Sequence, residues 1–324
     1  MAVERDEAAW LGEVLLARRG DADALATGHR RGVVERVRWG AYLPAAPTQG
    51  PARDTRRRML ARMAAVDAQL TVPHWFSHES AAVLWGCDTV RLPEAVHLLQ
   101  DGRPARRGRD AVVRHHGGVP APERATVHGL PVTSLERTVL DCASSLTPDR
   151  ALVIADSALR RGADAETVGR LLVRRAGRRG VARARSVLAL ADGRAESPGE
   201  TLVRLAVHDH GLPAPDLQIP VRTRRGRFRL DLGWTARHLA VEFDGFVKYS
   251  GASGSTAPEV VFAEKQRQDA LEDEGWRILR VTWDDLRAPV TLATRIARAL
   301  RRAPVEVEGF RRGRGRGVAG GIPR

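Results

Sequence analysis

Two short runs in the last third of the chain alternate apolar and polar residues so regularly that they fix their own pairing. Phe228-Arg229-Leu230-Asp231-Leu232-Gly233-Trp234 and Leu239-Ala240-Val241-Glu242-Phe243-Asp244 read as strands joined by a turn about Ala236-Arg237. In an antiparallel hairpin with that turn, Leu230 faces Phe243, Leu232 faces Val241 and Trp234 faces Leu239. Every apolar residue meets an apolar partner, and a one-residue slip would turn a whole strand over. The same register sets Asp231 opposite Glu242 and Arg229 opposite Asp244 on the other face. Directly opposed carboxylates repel. A divalent cation relieves that repulsion, because Mg²⁺ takes hard oxygen ligands and is commonly held by one or two carboxylates together with substrate phosphate. Such a cation acidifies its water and stabilises charge on a scissile phosphate. Asp231 and Glu242 are therefore the expected ligands of Mg²⁺ or Mn²⁺ at a site of phosphodiester hydrolysis.

The segment LDLGW, LAVEFDGFVKY and VFAEKQRQDALEDEGWRILRVTWDDL resembles nuclease-like domains related to very-short-patch-repair endonucleases, within the PD-(D/E)xK superfamily. The resemblance covers residues 196–286 and implies an α-β-β-β-α-β core. The residues give the same order: a helix from Pro198, a strand near Leu217–Val221, the hairpin, a helix near Pro258–Glu274 and a strand Arg277–Trp283. The resemblance implies Asp231 and Glu242 as metal ligands and a lysine at position 244, where this chain has Asp244. Three replacements stand open. Lys248 shares the parity of Glu242, Lys265 and Arg267 lie on the following helix, and Asp244 itself would serve as a third carboxylate. Glu200 is a further catalytic candidate, since related nucleases carry a glutamate on the first helix. Ser197-Pro198-Gly199-Glu200 is also a capping box with proline at the first helical position, which explains Glu200 without catalysis.

The chain carries 53 basic against 39 acidic residues, a net charge of +14 and a pI near 11.2. That balance points to a polyanionic partner, nucleic acid and most simply DNA. A GC-rich coding sequence would also yield an arginine-rich chain poor in lysine. No run of 18 apolar residues is present, so no membrane span is expected. The start reads as an acidic amphipathic helix over Glu7–Arg19 and not as a signal peptide. Cys87 and Cys142 form no spaced motif, which fits a reducing cytoplasm.

Its 324 residues suggest two or three domains. After the first helix come a short helical piece around Asp23–Thr27 and a basic hairpin, RVRWGAYLP, turning at Gly40. This order resembles the winged helix-turn-helix at the start of AbiEi-type antitoxin proteins, which implies DNA binding and a toxin or other protein partner. Arg36 and Arg38 alternate on one strand face and are placed to reach phosphates. Next come a helix Arg53–Leu70, a helix capped by Ser77, strands Ala95–Leu99 and Ala111–His115, and a helix Leu135–Ser145 capped by Ser134. SHESAA…WG and GLPVTSLERTVLDCA resemble the middle region of the same antitoxin-like proteins. His74, His78, His97 and the pair His115-His116 have no ligand-like spacing and are expected to be structural or exposed. Arg150–Ala191 reads as two or more helices, and Gly309–Arg324 as a disordered tail. Arg311 and Arg312 in that tail would add salt-sensitive affinity for nucleic acid. The expected architecture is α/β (α+β overall): a winged-helix-like region 1–70, a mixed middle region 71–192, a restriction-endonuclease-like domain 193–305 and a tail 306–324.

Overall fold

The computed structural model describes residues 11–17, 22–102, 111–245 and 257–303. It is an α+β protein that divides into two compact units, residues 1–205 and 206–324, with the division inside one helix. Lys248, Arg311, Arg312 and the rest of the expected tail lie outside the described residues.

The first unit begins with β1 (Leu15–Leu16), α1 (Ala22–Arg30), β2 (Val34–Arg38) and β3 (Ala41–Pro44). The sheet order is β1-β3-β2. The β2–β3 hairpin turns at Gly40, whose φ of 69° suits glycine. Two expectations change here. The helix expected over Glu7–Arg19 does not reach its C-terminal half, because Leu15 and Leu16 pair with Tyr42 and Ala41. Val14 and Leu16 pack on Val37, Ala41, Leu43, Ala61 and Ala65, and that burial outweighs the helical spacing. Arg36 and Arg38 do not share a face, since a bulge between them breaks the two-residue alternation. Val34 and Val37 are both buried as a result, leaving Arg36 exposed and Arg38 half-buried.

The long helix α2 (Pro51–Gln69) leads into β4 (His74–Phe76), α3 (His78–Leu84), β5 (Val96–Gln100), β6 (Val112–His116), β7 (Arg124–Val127) and β8 (Leu130–Thr133). These strands form a sheet of order β6-β5-β4-β8-β7, with β5 and β6 parallel. Met59, Leu60, Met63 and Val66 of α2 pack against Phe76, Leu84, Leu98 and Val132. Ser77 stands at the start of α3 but makes no capping bond; its hydroxyl meets His78 Nδ1 at 2.9 Å instead. His78, His97 and His115, which show no ligand-like spacing in the sequence, come together in the fold. They sit after β4, on β5 and on β6, three neighbouring strands, and their rings converge.

Four helices follow within this unit: α4 (Leu135–Ser145), α5 (Pro148–Arg160), α6 (Ala165–Arg174) and α7 (Val181–Leu190). Ser134 caps α4 as its position promises, its hydroxyl accepting from Arg137 N at 3.2 Å. Leu140, Leu152, Leu171 and Val187 meet in one apolar cluster. α8 (Pro198–Asp209) then crosses into the second unit.

The second unit contains β9 (Asp216–Thr223), β10 (Gly226–Trp234), β11 (Leu239–Phe243), α9 (Ala257–Asp273), β12 (Arg277–Val281), α10 (Trp283–Leu286) and α11 (Pro289–Arg302). The sheet order is β12-β11-β10-β9, with β12 parallel to β11 and the other neighbours antiparallel. The register is the one the alternation requires: Leu232 with Val241, Gly233 with Ala240 and Trp234 with Leu239. Leu230, Leu232, Leu239 and Val241 are fully buried. Each is worth roughly 1.5–3 kcal/mol of burial, so a slipped register would be several kcal/mol worse. Gly233 permits the close approach of β10 to β11, since a Cβ there would lie 2.5 Å from the Leu239 carbonyl oxygen.

Candidate acidic site on the second sheet

The antiparallel ladder between β10 and β11 stops at Leu232 and Val241, one pair before the two carboxylates. The pairings anticipated beyond it, Asp231 with Glu242, Leu230 with Phe243 and Arg229 with Asp244, are absent from the ladder. Asp231 explains the stop. Its Oδ2 accepts a 3.0 Å hydrogen bond from the amide of Phe243, taking the place of a ladder bond and letting the strands part. β11 then continues only on its other side, where Glu242 pairs with Arg280, Phe243 pairs with Val281, and Asp244 N donates to Val281 O. Arg229 pairs with Pro220 on β9. Gln218, between paired Leu217 and Ile219, is in register with Asp231 and has a left-handed backbone with φ 54°. A non-glycine residue held there is strained by roughly 1–3 kcal/mol.

Asp231 and Glu242 are both half-buried at this opening. Arg267 of α9 grips Glu242 with both terminal nitrogens, Nη1 donating to Oε2 at 3.0 Å and Nη2 to Oε1. Its Nη2 also lies 3.4 Å from the Arg229 carbonyl, and its guanidinium stands 5.9 Å from the centre of the Phe228 ring. The bonds to Glu242 raise the already high pKa of Arg267, with further contributions from the charges of Glu242, Glu264 and Asp231, while burial acts in the opposite sense. Glu264 bridges Arg267 and Arg280, completing a row of alternating charges over the sheet.

The structure thus brings together Asp231, Glu242 and Arg267 from the residues singled out by sequence. Asp244 is exposed one step past the end of β11, and Lys265 is exposed on α9. Glu200 belongs to the first unit and is engaged in the cap of α8. Its carboxylate accepts from Glu196 N at 2.9 Å and from Ser197 Oγ at 2.8 Å, and its own amide donates to Ser197 Oγ. Gln218 was not anticipated, and for Arg280 the sequence left an exposed and a site-facing position both open. Arg280 was legible as far as parity, since it lies on the strand next to Glu242; nothing local in the sequence marks the backbone of Gln218.

Two carboxylates on adjoining strands are the donor chemistry that a hard divalent cation takes. They fit Mg²⁺ or Mn²⁺ on the condition that Arg267 yields Glu242, because cation and guanidinium compete for the same oxygens. Among the described residues, no helix is long and apolar enough to cross a membrane.

No protein-family model matches the chain. The chain is 34% identical over 278 residues to the uncharacterized protein Rv2248 of Mycobacterium tuberculosis strain H37Rv, covering 85% of this chain and 95% of the relative. The uncharacterized protein MT2308 of strain CDC 1551 matches to the same extent. A crystal structure of the RV2827C protein from Mycobacterium tuberculosis is similar at a TM-score of 0.34 and 17% identity, over 56% of this chain and 76% of that one. Likeness at that level carries no argument. At one-third identity over nearly the whole length of its relatives, the chain belongs to the family of the uncharacterized mycobacterial protein Rv2248.

Proposed function

We propose that the second unit hydrolyses phosphodiester bonds of DNA, with Asp231 and Glu242 holding Mg²⁺ or Mn²⁺. The observation that carries this reading is the juxtaposition of the two carboxylates where the β10–β11 ladder opens. When bound, the cation supplies charge stabilisation at the scissile phosphate and a more acidic water. Arg267 moves from Glu242 to the incoming phosphate, whose oxygens match its planar fork of donors as a carboxylate does. Asp231 keeps its bond to the Phe243 amide and so holds the strands apart. Arg229 and Arg280 line the approach with positive charge. The net charge of +14 favours encounter with a polyanion. Lys265 and Lys248 are the lysines nearest in sequence to this machinery and complete the candidate set, with Asp244 as a third carboxylate.

A second reading is favoured by one specific observation. Arg267 closes both oxygens of Glu242, and Asp244 stands exposed where the superfamily pattern has lysine. In that reading the fold is a silent scaffold, and the protein is a DNA-binding regulator of the antitoxin type with a protein partner, using the β2–β3 hairpin and Arg36. Incubation of supercoiled plasmid with the purified chain in Mg²⁺, Mn²⁺ or a chelator separates the two. Nicking that needs the metal is expected. DNA retained in a gel shift with no nicking under any metal would move the assignment to the regulator.

A further inference from the structure

The first unit holds a cluster that the acidic site does not use. His78 is the first residue of α3, His97 lies on β5 and His115 on β6. In the parallel β5–β6 register His115 stands opposite Leu99, two residues beyond His97, so the two histidines share a sheet face. His97 Nδ1 and His115 Nε2 are 3.1 Å apart. The rings of His78 and His115 stack with centroids 3.7 Å apart, and one nitrogen from each of the three residues lies within 4.8 Å of the others. Among the described residues, this is the group of three or more metal-ligating side chains that converges so closely.

Two further features show that the cluster is built. His78 has a left-handed backbone, φ 51°, which costs a non-glycine residue roughly 1–3 kcal/mol and is held there by its surroundings. Its Nδ1 is engaged by Ser77 Oγ, a fully buried hydroxyl at 2.9 Å. A hydrogen bond at one ring nitrogen fixes the tautomer that presents the other nitrogen to a metal. The charge of buried Asp141, itself held by Arg137 and Arg175, acts on His78 and His115.

We propose that His78, His97 and His115 form a three-histidine site for a borderline divalent transition metal, zinc foremost, in the first unit. The donor set is the one zinc takes with three protein ligands and an open fourth position, and imidazole suits it better than Mg²⁺. Zn–N bonds of about 2.0–2.1 Å put tetrahedral ligand nitrogens roughly 3.3 Å apart, so the His97–His115 pair already has the spacing. A metal lies in the plane of each imidazole it binds. The stacked pair must therefore open, by rotation of the His78 or His115 ring, as the ion enters. The imidazoles need shed no proton first: burial lowers the pKa of His78 to about 3 and of His97 to about 4, and lowers that of His115. This inference is independent of the nuclease reading.

The test uses the full chain, without a histidine tag and in the Asp231→Ala, Glu242→Ala background, so that failure of either idea is seen separately. Chelator-stripped protein is titrated with Zn²⁺ by calorimetry and with Co²⁺ by visible absorption. One equivalent of Zn²⁺ and the intense bands of tetrahedral Co²⁺ are expected. His97→Asn and His115→Asn, each checked for an unchanged circular dichroism spectrum, should each weaken binding at least about 100-fold, as loss of a ligand exceeds loss of its supporting contacts. His116→Asn, at the exposed neighbour, should leave it unchanged. No uptake by the parent, a six-coordinate Co²⁺ spectrum, or binding untouched in both ligand variants would each overturn the proposal.

Discussion

Replacing Asp231 and Glu242 together with alanine is expected to lower metal-dependent cleavage of plasmid DNA by at least about a thousand-fold. Several kcal/mol of transition-state stabilisation leave with the cation, and each 1.36 kcal/mol is a factor of ten in rate. The fold should survive. Among its contacts, Asp231 gives up the hydrogen bond to the Phe243 amide, itself worth about 1 kcal/mol. Glu242 gives up its pair with Arg267, but that guanidinium keeps contact with Glu264 and has a path to solvent. Asp231→Asn with Glu242→Gln keeps shape and removes charge. The side chain of Asp231→Asn can still accept from the Phe243 amide, while that of Glu242→Gln keeps one of the two bonds from Arg267, and the pair should be as inactive as the alanine pair with a smaller change in melting temperature. Cleavage at the wild-type rate by either double variant would remove these residues from the chemistry.

The second large effect concerns stability of the first unit. Asp156 on α5 is almost fully buried and ties three segments together. Its Oδ1 accepts from Asp192 N at 2.8 Å; its Oδ2 accepts from Thr201 Oγ1 at 2.8 Å and from Arg204 Nη2 at 2.5 Å. Asp156→Ala leaves an amide, a hydroxyl and a guanidinium buried with a partner removed. We expect a loss of about 3–5 kcal/mol. In a unit of this size that lowers the melting temperature by roughly 10 °C, read by calorimetry.

Asp156→Asn should retain only part of that stability, because its single amide oxygen can accept on one side of the network while its NH2 group meets donors on the other. Burial is the largest influence on the Asp156 carboxyl and raises its pKa, against the opposing pull of Arg204 and the hydrogen bonds. A raised folded-state pKa contributes stability that is complete below the unfolded value near 3.8 and is lost as pH rises through the folded value. The wild type should therefore lose some stability as pH climbs through that window, relative to Asp156→Asn. An Asn variant as damaged as the Ala variant would show that one acceptor oxygen preserves none of the network.

Local pattern revealed much of this architecture. The β10–β11 register follows from Leu232, Trp234, Leu239 and Val241, because each finds an apolar partner in only one alignment. The bounds of α4 follow from the Ser134 cap and its apolar spacing. What escaped depends on partners distant in sequence. Leu15 and Leu16 look helical until Ala41 and Tyr42 offer them a strand edge. The bulge that parts Arg36 from Arg38 is set by the need to bury both Val34 and Val37. The alternation placed Asp231 and Glu242 side by side but could not show that Asp231 ends the ladder by capping Phe243, or that Arg267 occupies Glu242. The histidine cluster was invisible because it needs β4, β5 and β6 to be neighbours, and parallel pairing of β5 with β6 leaves no local signature.

The central claim, a divalent cation held between Asp231 and Glu242, is tested most directly by letting Fe²⁺ take its place. With ascorbate and peroxide, bound Fe²⁺ generates radicals that cut the polypeptide beside the ion, and mass spectrometry reads the new ends. The account predicts ends between Leu230 and Phe243, suppressed by excess Mg²⁺ and absent from the Asp231→Ala, Glu242→Ala variant. Any cuts near His78, His97 and His115 would persist in that variant. A wild-type protein with no cuts between Leu230 and Phe243 would contradict the claim.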